Sequence, residues 1–256
     1  MKMKQKHWAF INLIAFLGML TVNYLANALP IAGRSTGAIS GMYPNLFVPA
    51  GFTFSIWGVI YLALIGFVAA GFFQKYEEEI KAIGPLFVIS CAANIAWLFA
   101  FHHLWIKTSM VFMVILLATL ITLYQNLWQL KQQSGRSNWI SVPFSIYLGW
   151  ISVATIANTA ITLMELGIAP ETPLALVLTI TVISVAIILA LLMLQGLNDY
   201  FYALVVIWAL FGIYSKRIED IPANDLSIEY LTVFGIALIA AWITFKVTLK
   251  WSSKLN

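Results

Sequence analysis

Eight runs of mostly apolar residues, each long enough to cross a bilayer, divide this chain and decide what it can become. A hydrocarbon core is spanned by about 20 apolar residues in helical form. The runs predict spans over 8–29, 50–73, 84–105, 108–130, 140–164, 173–194, 199–215 and 228–249. Lipid offers no partner for backbone N–H and C=O groups, so a spanning segment of this length must satisfy them within a helix. The expected fold class is therefore all-α, a polytopic transmembrane helix bundle. The seventh run is the shortest. If it failed to span, the C-terminus would change sides.

Composition leaves no room for a separate soluble domain. Of the 256 residues, 62% are hydrophobic and 9% are charged, against about 25% charged in soluble domains. The apolar content is even from end to end. The basic N-terminus followed by Trp8 to Leu29 resembles a secretory signal, with Ala26-Asn27-Ala28 as a small-x-small site. Its apolar part is too long for a signal core, so a retained first helix is expected.

The net charge of +4 resides at helix ends rather than along a stripe, which argues against nucleic acid as a partner. With the N-terminus inside, ten Lys and Arg fall on the inner side: Lys2, Lys4, Lys6, Lys75, Lys81, Lys131, Arg136, Lys246, Lys250 and Lys254. Four fall outside: Arg34, Lys107, Lys216 and Arg217. The expectation is an integral membrane protein with both termini cytoplasmic. The outer connection from Pro30 to Pro49 is the longest, and it is a natural lid for an outward-facing pocket.

Chemistry-bearing residues are sparse inside the spans. No Asp, Glu, Lys or Arg lies near the middle of a predicted helix, which argues against ion coupling. No nucleophile–base pair or ligand cluster can be assembled there, so no enzyme, cofactor or metal is expected. Cys91 is alone and reads as a packing residue. Glu165 and Asp199, at helix ends, read as solvated boundary charges. His102 and His103 read as interfacial caps, with haem ligation or pH sensing as the alternative.

Tryptophan is abundant, with ten in the chain. Trp8, Trp105, Trp128, Trp139 and Trp251 lie at helix ends, where amphipathic rings seek the headgroup level. Trp57, Trp97, Trp150, Trp208 and Trp242 lie deeper, and as a group suit a cavity for a flat aromatic ligand. Asn94 and Trp97 are three apart on one helical face, so one pocket can see both. Trp150, Ala154 and Asn158 form a stripe at i, i+4, i+8, in which the small Ala154 leaves room.

Four motifs on consecutive helices carry a resemblance. Pro49-x7-Trp57-x3-Tyr61, Asn94-x2-Trp97-x3-Phe101, Ala118-Thr119 with Tyr124-Gln125, and Trp150-x3-Ala154-Thr155-x2-Asn158 resemble helices two to five of the TspO/MBR family. That family comprises tryptophan-rich sensory proteins and the translocator protein, or peripheral benzodiazepine receptor. The chain departs from its pattern at Gly51, where the family has Trp, and at Ser55 and Ile146, where it has Pro. The motifs cover about 8–165, which divides the membrane domain into a five-helix TspO-like part, 1–166, and additional helices, 167–256. This pattern is similar to a longer, divergent branch.

The resemblance implies a pocket beneath the first loop and porphyrins, sterols or synthetic aromatics as ligands, often in a dimer. It implies a bacterial cell membrane as the location. The expected binding residues are Trp57, Tyr61, Asn94, Trp97, Trp150, Ala154 and Asn158. The leading expectation is a receptor or carrier for a hydrophobic tetrapyrrole-like, sterol-like or polyene ligand. The alternative is a secondary facilitator of a small neutral or aromatic solute. A third is an enzyme that oxidatively modifies a bound pigment.

Overall fold

The computed structural model describes residues 5–29, 31–43, 45–135, 139–168, 172–219 and 226–255. Pro30, Lys2, Lys4 and Arg136, and the side chain of Lys254, lie outside what it describes. Every predicted span is a helix: α1 (Gln5–Ala28), α3 (Ile56–Ala70), α5 (Leu86–His102), α6 (Ile106–Ser134), α7 (Ser141–Glu165), α8 (Pro173–Leu197), α9 (Tyr200–Glu219) and α10 (Ser227–Leu255). Two short helices join them: α2 (Thr36–Gly41) lies in the first loop and α4 (Glu77–Ile83) precedes α5. The seventh run is a full helix of 20 residues.

Two boundaries differ from the sequence reading for local reasons. The second span begins as a 3-10 turn, Gly51–Ser55, and becomes α-helical only at Ile56. The third is preceded by α4, which meets it at a bend of 57°. Gly84 at the break has φ +49°, a left-handed backbone that suits a residue without Cβ. Pro85 then opens α5, where its missing N–H costs nothing because the first turn has no intrahelical acceptor.

The core runs the length of the bundle. Phe67 packs edge-on against Phe87 and Phe144, at centroid distances of 4.9 and 4.8 Å, a geometry that sets ring edge against ring face. Outward residues such as Ile14, Leu62, Val177 and Leu192 are more than half exposed, as a lipid-facing surface requires. Many hydroxyls on the spans bond back into their own helix, as Thr119 does to the Ile115 carbonyl at 2.7 Å. That removes the cost of an unpaired donor in lipid.

Helix α9 joins the C-terminal helices to the first five. It packs on α7, α8, α10 and the 3-10 turn. Gly212 makes the approach to that turn possible: a Cβ there would stand 2.1 Å from Thr53 Oγ1. The Ala50 N–H donates to the Gly212 carbonyl at 2.9 Å, and the Trp208 indole N–H to the Thr53 carbonyl at 2.9 Å.

Asp199 corrects its sequence reading. It is 7% exposed rather than solvated. Its carboxylate accepts from Tyr124 on α6, Ser145 on α7 and the backbone N–H of Tyr202 in the first turn of α9. Three donors and a helix N-terminus compensate a buried anion.

Candidate functional site: an aromatic cavity beneath the first loop

The deep tryptophans divide by role. Trp57, Trp97 and Trp150, from α3, α5 and α7, line one apolar cavity together with Ala154 and Asn158. Trp208 instead holds the 3-10 turn, and Trp242 lies beside Phe245 on α10. Around the cavity, Trp57 stacks on Tyr61 at 5.6 Å and meets Trp150 edge-on at 6.4 Å. Phe54 meets Trp150 edge-on at 6.0 Å, and Trp97 stacks on Phe101 at 5.5 Å. The stripe Trp150, Ala154, Asn158 thus forms one wall, because i, i+4, i+8 positions share a helix face.

Asn158 is the polar corner. Its Oδ1 accepts from the Trp97 indole N–H at 3.4 Å and from the Ser109 hydroxyl at 3.3 Å, while its Nδ2 lies 3.4 Å from Met110 Sδ. The buried Trp150 indole N–H has no acceptor among the described residues. An unpaired donor in an apolar surrounding costs about 1–3 kcal/mol, and a ligand carbonyl or carboxylate would relieve it.

Tyr61 and Asn94 lie outside the lining. Tyr61 backs Trp57. Asn94, wholly buried, accepts from Asn23 Nδ2 of α1 at 2.7 Å, so its carbonyl joins two helices. Asn94 and Trp97 share a helix face but not a surface, since α1 lies against one and the cavity against the other.

The lining also draws on residues that no motif marks. Thr36 and Ser40 come from α2, Phe47 and Pro49 from the rest of the first loop, and Ala209 and Ile213 from α9. The loop is pinned through His102, which is 1% exposed. Its Nδ1 faces the Ile31 carbonyl at 3.1 Å and so carries the proton in this network. Its Nε2 then accepts from the Thr36 hydroxyl at 3.0 Å. Both nitrogens are engaged, which makes His102 a loop anchor rather than an interfacial cap.

The cavity measures about 40 Å³, room for a few waters. Beside it, between α7, α8 and the loop, lies a crevice of about 190 Å³ lined by Leu46, Leu163, Ala175 and Leu178 among others. Among the described residues, Phe47 is the one that lines both. It is 2% exposed and sits in a turn: its N–H donates to Asn45 Oδ1, and Asn45 Nδ2 donates to the Tyr43 carbonyl, each at 3.0 Å. Tyr43 in turn donates its hydroxyl to Glu165 at the end of α7, at 3.2 Å. Burial and the Glu165 carboxylate hold the Tyr43 phenol above its ordinary pKa of 10.0.

A family model described as TSPO-like protein matches residues 9–245. The match reaches from α1 into α10, past the end of the motif-bearing helices. No curated protein and no solved structure matches the chain.

Proposed function

We propose that this chain, which belongs to the TSPO-like protein family, is an integral membrane receptor or carrier for a flat, hydrophobic aromatic molecule of the tetrapyrrole class. The carrying observation is the convergence of three indoles from three helices on one apolar cavity, with the Trp150 N–H left unpaired. Indole faces stack on an extended ring, the free N–H meets a peripheral oxygen, and Asn158 supplies a polar edge. Binding without chemistry is the proposed role.

A drug-sized pocket occupies about 300–1,000 Å³, so the cavity of about 40 Å³ represents a closed state. Displacing Phe47 would join it to the neighbouring crevice of about 190 Å³. Ligand entry is therefore proposed to move the 45–48 segment rather than the helices.

The test is titration of the purified protein with protoporphyrin and with haem, following tryptophan fluorescence. Saturable quenching in the wild type, lost in Trp57→Ala and Trp150→Ala variants that keep their helical circular dichroism, supports the reading. Equal affinity in both variants overturns it.

The second reading, a facilitator of a small neutral or aromatic solute, draws support from Ala209 and Ile213 of α9 in the lining. All eight helices would then form one translocation unit. Counterflow of labelled solute in proteoliposomes, absent in simple binding, separates it from a receptor.

A further inference from the structure

The closed cavity and the crevice beside it relate differently to their surroundings. Trp97, Trp150, Asn158, Ala209 and Ile213 of the cavity lining are all buried, so that space is enclosed. The crevice walls are half-buried instead: Ile156, Ala160 and Leu163 on α7, and Ala175, Leu178 and Val182 on α8. Leu174 and Val177, next to this wall on α8, are more than half exposed. From Ala175 to Val182 the wall descends about 10 Å at 1.5 Å per residue. Both walls belong to helices long and apolar enough to cross the membrane, so the crevice reaches into the hydrocarbon.

On the loop side the cavity is covered. Thr36, Ser40, Phe47 and Pro49 lie over it, and each is buried. Two anchors tie this cover to helices. Thr36 donates to His102 of α5 at 3.0 Å, and the Ala50 N–H donates to the Gly212 carbonyl of α9 at 2.9 Å. The Phe47 N–H bonds only locally, to Asn45 Oδ1, and that bond can travel with the segment. Passage from water must therefore break the anchors, whereas passage from the crevice needs the Phe47 ring to swing aside.

We propose that the α7–α8 crevice is a lateral portal, through which the ligand passes between the bilayer and the cavity. The proposal rests on the reading of the cavity as the site of a hydrophobic aromatic molecule. Such a molecule collects in hydrocarbon rather than in water, so the bilayer is its reservoir. Among the described residues, no charged side chain lines either space, so a ring sliding inward displaces no hydrated charge. Its own polar edge can stay at the loop end, where Asn45 borders the crevice. Ala160 and Ala175 are the smallest side chains on the two walls and set the width that a flat ring must pass.

The experiment uses the full chain in phosphatidylcholine vesicles loaded with protoporphyrin, with association and dissociation followed by stopped-flow tryptophan quenching. Ala160→Phe and Ala175→Phe should each slow association about tenfold, as crowding of a packed gap does, and should slow dissociation as well. Val177→Phe, on the lipid-facing surface beside the crevice, should change neither rate. Leu178→Ala widens the gap and should speed both, which keeps the test decisive if a phenylalanine variant does not fold. Unchanged rates in the crevice variants overturn the portal. Slower association with faster dissociation also overturns it, because the crevice would then be a wall of the bound state rather than a door. Faster association in His102→Asn, with the crevice variants unaffected, would place the route through the loop. Absence of saturable quenching in the wild type is a different failure: it removes the cavity reading itself, and the portal with it.

Discussion

The indole N–H of Trp208 on α9 donates to the backbone carbonyl of Thr53 in the turn that leads into α3, at 2.9 Å. A helix with no motif of its own thereby positions the segment that carries Phe54 and Trp57 into the cavity. Gly212, one turn further along α9, sets the approach distance. Gly212→Ala would drive a Cβ into Thr53, which is wholly buried. Overpacking of this kind costs about 1–3 kcal/mol. The expected result is a lower unfolding temperature in detergent and weaker porphyrin binding. Adding Thr53→Ala removes the two nearest atoms but keeps a Cβ at 2.9 Å, so it should restore part of both, since the two substitutions act on one contact. Losses that simply add in the double variant would refute the coupling.

Asn94 and Trp97 separate a structural role from a ligand role. Asn94→Ala removes the bond from Asn23 and should destabilise the α1–α5 contact by about 0.6–1.7 kcal/mol, the range for interhelical bonds in membranes. Ligand affinity should stay within about twofold. Trp97→Phe removes the indole donor to Asn158 and narrows the stacking face, so affinity should fall while stability changes little. Thermal unfolding and fluorescence titration on both variants check the pair. The reverse pattern would place Asn94 at the ligand.

Asn158 holds two donors from two other helices, Trp97 of α5 and Ser109 of α6. Asn158→Leu fits the apolar surroundings but leaves both donors without their acceptor, although the Ser109 hydroxyl also bonds the Ile106 carbonyl. The expected signature is a shifted Trp97 emission together with weaker binding of carboxylate-bearing porphyrins. Affinity for a purely hydrocarbon aromatic should change less. Equal loss for both ligand types would count against a polar corner.

Much of this arrangement was readable in the sequence, and the failures have physical causes. Span length and low charge are bulk requirements of lipid, so the seven helices long and apolar enough to cross could be read directly, while α5 reaches that length only together with α4 across its bend. The stripe Trp150, Ala154, Asn158 follows from helical period alone. The partner of Asn94 did not, because Asn23 lies 71 positions away and only the packing of α1 on α5 brings them together. Asp199 was misread for the same reason: Tyr124 and Ser145 supply its compensation from distant helices. Ala209 and Ile213 carry no chemical signal, since small and branched apolar residues are everywhere in such a chain. Phe47, Thr36 and Ser40 lie in a segment whose composition suggests a lid but whose contacts depend on His102 and Glu165.

Phe47 provides a test of how the closed cavity opens. Phe47→Ala removes the one side chain common to the two cavities, and their spaces should merge. Because the ring is buried, its loss should cost about 3–5 kcal/mol of stability in the free protein. A bulky porphyrin should nonetheless associate faster, since the displacement step is gone. Stopped-flow quenching reads the rate. An unchanged association rate would mean that ligand enters by another route.

The latch that holds Phe47 should respond to alkaline pH. Tyr43 must keep its proton to donate to Glu165, and its pKa is raised above 10.0 by burial first, then by the Glu165 charge and the hydrogen bond. A folded pKa raised above the unfolded value means the stabilisation is fully present below about pH 10. It is lost as pH rises through the raised value. Ligand dissociation should therefore be flat from neutral pH to about 10 and accelerate above it. Tyr43→Phe lacks the donor at every pH, so its dissociation should already be fast at neutrality and show no further rise attributable to the latch. Comparing the two pH profiles cancels the titration of lysines common to both. Parallel profiles would show that Tyr43 plays no part in holding the loop.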